Sequence, residues 1–124
     1  MRFLLLGVVL LPALAGAQES ARVSASFTGG REELPRLEAS VRELLLRLNV
    51  SVEPAGTAGV LAHLEVSWSE PTALHLTVKD RAGEVILVRN LSRAGSPQLL
   101  AEAAAHVIQS TVEELLDLAR EKPK

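Results

Sequence analysis

The 124-residue sequence has no cysteine, no tyrosine, a single tryptophan and two phenylalanines. Without cysteine there is no disulfide framework, so an exported domain must hold itself together by its core. With so few rings, Leu, Ala and Val must fill that core, which favours a packed interior over a persistent ligand cavity. Long apolar runs are also missing. The longest, Phe3 to Leu14, is about a dozen residues, whereas a membrane-spanning helix needs about 20. Charge of one sign is missing too: 13 basic residues stand against 15 acidic ones. Apart from the short tail REKPK there is no Lys/Arg cluster. Such a chain is a poor nucleic-acid binder, because that affinity comes mainly from neutralising phosphates.

The N-terminal stretch MRFLLLGVVLLPALAGAQES has one basic residue, Arg2, then the apolar run, then Ala15-Gly16-Ala17. This three-part pattern predicts a secretory signal peptide over residues 1–17, cleaved after Ala17. No cysteine follows the apolar run, so a lipid anchor is not expected. The expected address is periplasmic or secreted, with no membrane insertion after cleavage. Residues 18–124 are expected to form a single domain with its core over about 22–120, a size that buries well over half of its unfolded surface.

Val23 to Thr28 alternates apolar and polar residues, as a strand does. It is short and serine-rich, which predicts an edge strand. Gly29-Gly30 ends it. In REELPRLEASVRELLLRLN the residues Leu34, Leu37, Val41, Leu44, Leu45 and Leu48 recur at spacings of three and four, the apolar stripe of a helix. Glu32/Arg36, Glu38/Arg42 and Glu43/Arg47 place an acid four residues before a base on the opposite face. Pro35 suits the first turn and Asn49 the C-terminal end.

Val50 to Glu53 reads as a short strand and Pro54 to Gly59 as a loop. Two alternating segments follow, with Leu64, Val66 and Trp68 and then Leu74, Leu76 and Val78 on their apolar faces. An antiparallel register of Trp68/Leu74, Val66/Leu76 and Leu64/Val78 gathers all six on one side. Asp80 to Gly83 is a turn. The unbroken run Val85-Ile86-Leu87-Val88 predicts a strand covered more fully than its neighbours. Ser96 is a good N-cap and Pro97 a good first helical residue. The last helix is expected to reach about Arg120, with Leu100, Ala104, Val107, Ile108, Thr111, Leu115 and Leu118 as its buried stripe. Glu102, His106, Gln109 and Glu113 form its polar stripe.

The order β-α-β-β-β-β-α predicts an α+β fold: a mostly antiparallel or mixed sheet of about five strands with two helices packed on one face.

Few residues suggest chemistry. His63, Glu65, His75, Thr77 and Lys79 fall on the outward face of the middle strands and make a candidate interaction face. The register sets His63 opposite Lys79 and His75 opposite Ser67, too far apart to share one ion, and His106 lies on a solvent-facing stripe. No metal site is therefore expected. There is no G-x-S-x-G elbow, and Gly29-Gly30 lacks the Lys-Ser/Thr ending of a phosphate loop. The reading is of a protein without catalytic, metal or cofactor-binding residues.

The pattern AHLEVSWSEPTALHLTVKDRAGEVILVRNL followed by SPQLLAEAAAHVIQSTVEELL resembles the N-terminal domain of the TolB family of periplasmic translocation proteins. Leu76, Asp80, Gly83, Val85 and Ile86 carry the resemblance in the strand–turn–strand portion, and Ala105, Ile108 and Leu115 in the closing helix. It spans roughly Arg31 to Leu116 and consists of apolar spacing and a turn. The layout is also similar to that of other envelope accessory proteins, among them penicillin-binding-protein activators and flagellar or curli-secretion factors. Two features depart from TolB: the β-propeller that follows its domain is not among these residues, and the first strand here is RVSASFT, less apolar than the family's. A shared fold would not transfer partners. The resemblance implies an envelope binding or assembly module.

Together these readings predict an exported, non-enzymatic interaction or assembly module of the bacterial cell envelope, with envelope proteins as partners. Contact would be made through the free sheet face or an edge strand. A homodimer through the Val23–Thr28 edge is an allowed arrangement. The alternative is a periplasmic small-ligand carrier with a pocket between helices and sheet. A hydrolase is the weakest reading.

Overall fold

The computed structural model describes residues 21–92 and 96–121; the leader expected over residues 1–17 and the tail beyond Glu121 lie outside them. The elements are β1 (Ala21–Thr28), α1 (Leu34–Leu46), β2 (Val50–Pro54), β3 (Ala62–Glu70), β4 (Ala73–Asp80), β5 (Val85–Ser92) and α2 (Pro97–Glu121). They build an α+β fold in the expected order, with one five-stranded sheet arranged β2-β1-β3-β4-β5. β1 runs parallel to both β2 and β3, while β3, β4 and β5 form an antiparallel meander. The sheet is therefore mixed. Its parallel half exists because β1–α1–β2 is a crossover unit, the connection that parallel neighbours require.

One apolar cluster joins both helices to a single face of the sheet. It contains Val23, Leu64, Val66, Trp68, Leu74, Leu76 and Val78 from the strands, with Leu37, Val41 and Leu45 of α1 and Leu100, Ala104 and Ile108 of α2. Period-two alternation supplies the sheet side, and the stripe at spacings of three and four supplies the helix side.

Local chemistry sets the ends of the elements. Gly29 has φ +125°, and a Cβ there would lie 2.1 Å from the Trp68 carbonyl oxygen. The chain leaving β1 thus crosses the β3 backbone at contact distance, and only glycine fits. Asn49 closes the α1 end in the left-handed region at φ 65°, which asparagine tolerates better than most residues. At the β4–β5 turn the Asp80 carboxylate accepts from the Ala82 and Glu84 N–H groups, both at 2.9 Å. The Leu99 N–H donates to Ser96 Oγ at 3.2 Å, so Ser96 caps α2 as expected.

Several expectations need correction. β1 is not an edge strand: β3 pairs with it over Val23–Thr28 and β2 over Ala21–Ala25, so it is an inner strand and not the edge a homodimer would use. Its serines reflect a polar sheet face. The run Val85–Val88 is not well covered, because β5 is itself an edge; Val85, Ile86 and Val88 are 53%, 44% and 52% exposed. The pairs Leu64/Val78 and Val66/Leu76 form as expected, but the register shifts between Ser67 and Glu70, so Trp68 does not pair with Leu74. Both side chains stay buried.

On α1 the Glu38–Arg42 and Glu43–Arg47 pairs form at 3.1 and 3.0 Å. Glu32 and Arg36 make no ion pair among the described residues; Arg31 instead grips Glu33 with two bonds of 3.0 and 2.8 Å. On α2 the buried ridge is Leu100, Ala104, Ile108 and Val112, at a constant spacing of four. Leu118 is 59% exposed. The last turns of this 25-residue helix stay beside the sheet: Leu116 and Ala119 lie near Ala21 and Arg22 of β1.

Candidate functional site

Both helices lie on one side of the sheet, and the other side has no helix over it among the described residues. The strand registers order this outer face into rows. One row runs Glu53, Ser24, His63, Lys79, Val85. The next runs Ser26, Glu65, Thr77, Val88, and a third runs Thr28, Ser67, His75, Asn90. All five residues of the expected interaction face, His63, Glu65, His75, Thr77 and Lys79, therefore share one surface.

Their contacts are local. His63 Nδ1 and Ser24 Oγ share a hydrogen bond of 2.6 Å, which satisfies the buried hydroxyl of Ser24. Lys79 Nζ lies 3.1 Å from Glu65 Oε2 across the β3–β4 pair. His75 is bonded through Nδ1 to the side-chain oxygen of Asn90 on β5. His63 and His75 sit in different rows with different partners. Among the described residues no three His, Asp or Glu side chains converge as a metal site. Ser24 has a histidine partner and is 2% exposed. An acid that orients the His63 ring, needed for nucleophilic chemistry, is not among its bonded partners.

The outer face changes character from one side to the other. It is polar over β1, β3 and β4 and becomes apolar at β5, where Val85 and Val88 end the first two rows. Around the same edge, on the helix side, a groove of about 640 Å³ opens between β5 and α2. Ile86, Leu87 and Arg89 form its strand wall; Val107, Thr111, Glu114, Leu115 and Leu118 form much of its helix wall. Ile86 is the extra residue where the β4–β5 register shifts between Val78 and Lys79. That shift lets Val85 face outward while Ile86 lines the groove. Four of the exposed large apolar side chains, Val85, Ile86, Val88 and Leu118, thus gather along one edge.

The opposite edge is built differently. β2 has five residues and ends in Pro54, which cannot donate to a further strand. Arg42 reaches over from α1 and donates to the Val52 carbonyl oxygen at 3.1 Å. β5 has eight residues and no proline. Sequence reasoning found the polar face but missed β5 as part of a surface. The apolar run was visible, yet nothing local says which strand ends a sheet.

No family model matches the chain, and no curated protein matches it. Among solved structures it is similar to a PelC dodecamer from Paraburkholderia phytofirmans, with 16% sequence identity and a TM-score of 0.49, over 79% of this chain and 88% of that one.

Proposed function

We propose that this chain is an exported, non-enzymatic protein-interaction or assembly module of the bacterial cell envelope. The observation that carries the reading is the β5 edge. Among the described residues no strand covers it, Val85, Ile86 and Val88 are about half exposed, and it adjoins both the polar outer face and the α2 groove. Exposed apolar clusters with a polar rim mark contact surfaces, and an open strand edge binds extended chain through backbone hydrogen bonds. The layer between helices and sheet is filled by Leu37, Leu45, Trp68, Leu76, Leu100 and Ile108, all at 0% exposure, which favours a contact protein over a carrier. The leader pattern of residues 1–17 supports export to the periplasm or beyond. The resemblance to the N-terminal domain of TolB points to the same class of role.

The test is crosslinking in the native periplasm with a photoreactive residue at Lys79 or Val88, followed by mass spectrometry. The expected result is a reproducible protein adduct from either position, that from Lys79 being lost with Val88→Lys. A chain that traps no protein but releases a small molecule on denaturation would overturn the reading in favour of a carrier.

A further inference from the structure

We propose that β5 is a self-association surface: two copies of the chain pair β5 to β5, antiparallel about a two-fold axis, and join their sheets into one. This rests on the interaction-module reading and names the partner as a second copy.

The size of the edge is the first support. Eight residues make it about 27 Å long, and one sheet layer plus one helix layer make it about 20 Å deep. Such a strip is about 500 Å² per copy, and two of them reach the roughly 1,000 Å² that a specific interface needs.

The second support is self-complementarity, which a two-fold contact demands. Leu87, Arg89 and Leu91 face the helix side of β5, and Val88, Asn90 and Ser92 face the outer side. Keeping helix side against helix side places some residue on the axis, opposite its own copy. Arg89 on the axis would oppose two like charges, which is unfavourable. Val88 on the axis sets Val88 against Val88 on the outer face. It also sets each Leu87 against the Arg89 of the other copy; beyond these pairs the extra residue Ile86 shifts the facing phase, so strand pairing centres on Leu87–Arg89 and the rest of the contact is side-chain packing. Ile86 and Leu118 of both copies then close over a shared groove.

Charge is the third. Arg89 and Glu114 line the same groove, and neither makes an ion pair among the described residues. The two-fold axis turns the grooves toward each other and moves Arg89 of one copy toward Glu114 of its mate. One unpaired set in the monomer becomes two cross-copy pairs.

The experiment is sedimentation equilibrium of the exported, purified chain across micromolar concentrations, with circular dichroism melts as the folding control. The wild-type chain is expected to sediment as a dimer. Val88→Lys, at a half-exposed side chain, should leave the melt unchanged and weaken association about 100-fold, because it places two charges together on the axis. Arg89→Glu and Glu114→Arg should each weaken association about 10-fold, and the double reversal should restore it. A wild-type chain that stays monomeric at hundreds of micromolar overturns the proposal. A dimer indifferent to all three substitutions also overturns it. A monomer whose photoreactive Val88 position traps a different protein overturns self-pairing and leaves the interaction-module reading standing. A monomer that traps nothing from either Val88 or Lys79 overturns both.

Discussion

The two edges of this sheet teach what an open edge is made of. β2 is short, ends in Pro54 and has the Val52 carbonyl held by Arg42. β5 is longer, carries three half-exposed apolar residues and borders an apolar groove. Both strands look apolar in sequence, VSV against VILV. The difference lies in what stands beside them. α1 follows directly from β1 and returns into β2, so its side chains reach the β2 backbone. α2 follows β5 but packs its ridge Leu100–Val112 into the shared core, and between its flank and β5 a groove stays open. Natural sheets blunt their edges with short strands, proline and charge. Here one edge has those devices, and the other has only the shift at Ile86 and one charge, Arg89.

The sharpest way to probe the contrast is to compare a central residue with an edge residue. Leu76 on β4 is 0% exposed and Val88 on its neighbour β5 is 52% exposed. Leu76→Ala should cost about 3 kcal/mol in denaturant unfolding, through lost transfer energy and the cavity left behind. Val88→Ala should cost under about 0.5 kcal/mol, as a surface change does. Equal costs would mean that β5 is covered in the free chain. Next in size is Gly29→Ala, which adds a left-handed backbone penalty to a backbone collision with the Trp68 carbonyl. A loss of about 2 kcal/mol is expected, and an unchanged melting temperature would show that the β1–α1 turn is looser than this geometry.

Asp80→Ala removes the acceptor for the Ala82 and Glu84 N–H groups at the β4–β5 turn. About 1 kcal/mol should be lost, and hydrogen exchange should rise in β5 before it rises in β3. If both strands exchange together, β5 is not the weaker edge. The smallest effect is expected for Arg42→Ala, which frees the Val52 carbonyl and breaks the pair with Glu38. Stability should fall by about 0.5 kcal/mol. Light scattering on mild heating should rise, because the blunted edge is opened. No change in scattering would mean that Pro54 and strand length protect β2 unaided.

Much of the architecture was legible from local pattern. The alternation in Leu64–Trp68 and Leu74–Val78 foretold which faces are buried, and a stripe at spacings of three and four foretold α1. Ser96 and Pro97 marked the start of α2. Two neighbouring registers, Leu64/Val78 and Val66/Leu76, could be set from face matching alone. The polar outer face with His63, Glu65, His75, Thr77 and Lys79 came from the same period of two. The bulge after Ser67 did not, since an irregularity leaves no mark in the alternation until the chain is paired. Leu118 was misplaced for a related reason. Its helical phase is apolar, but phase says nothing about how closely the β5 edge approaches the helix there.

What the sequence by itself determined, then, is the kind and order of the elements and the inward faces of β3, β4 and α1, because these follow from side-chain periodicity and capping within a few residues. Strand order was settled only by the tertiary structure. β1 inserts between β2 and β3 because the β1–α1–β2 crossover makes one parallel neighbour and the β1–β3 pairing makes the other. That places β5 at the rim. Whether an apolar strand is core or surface depends on contacts between residues far apart in the chain, and a local pattern carries no record of them.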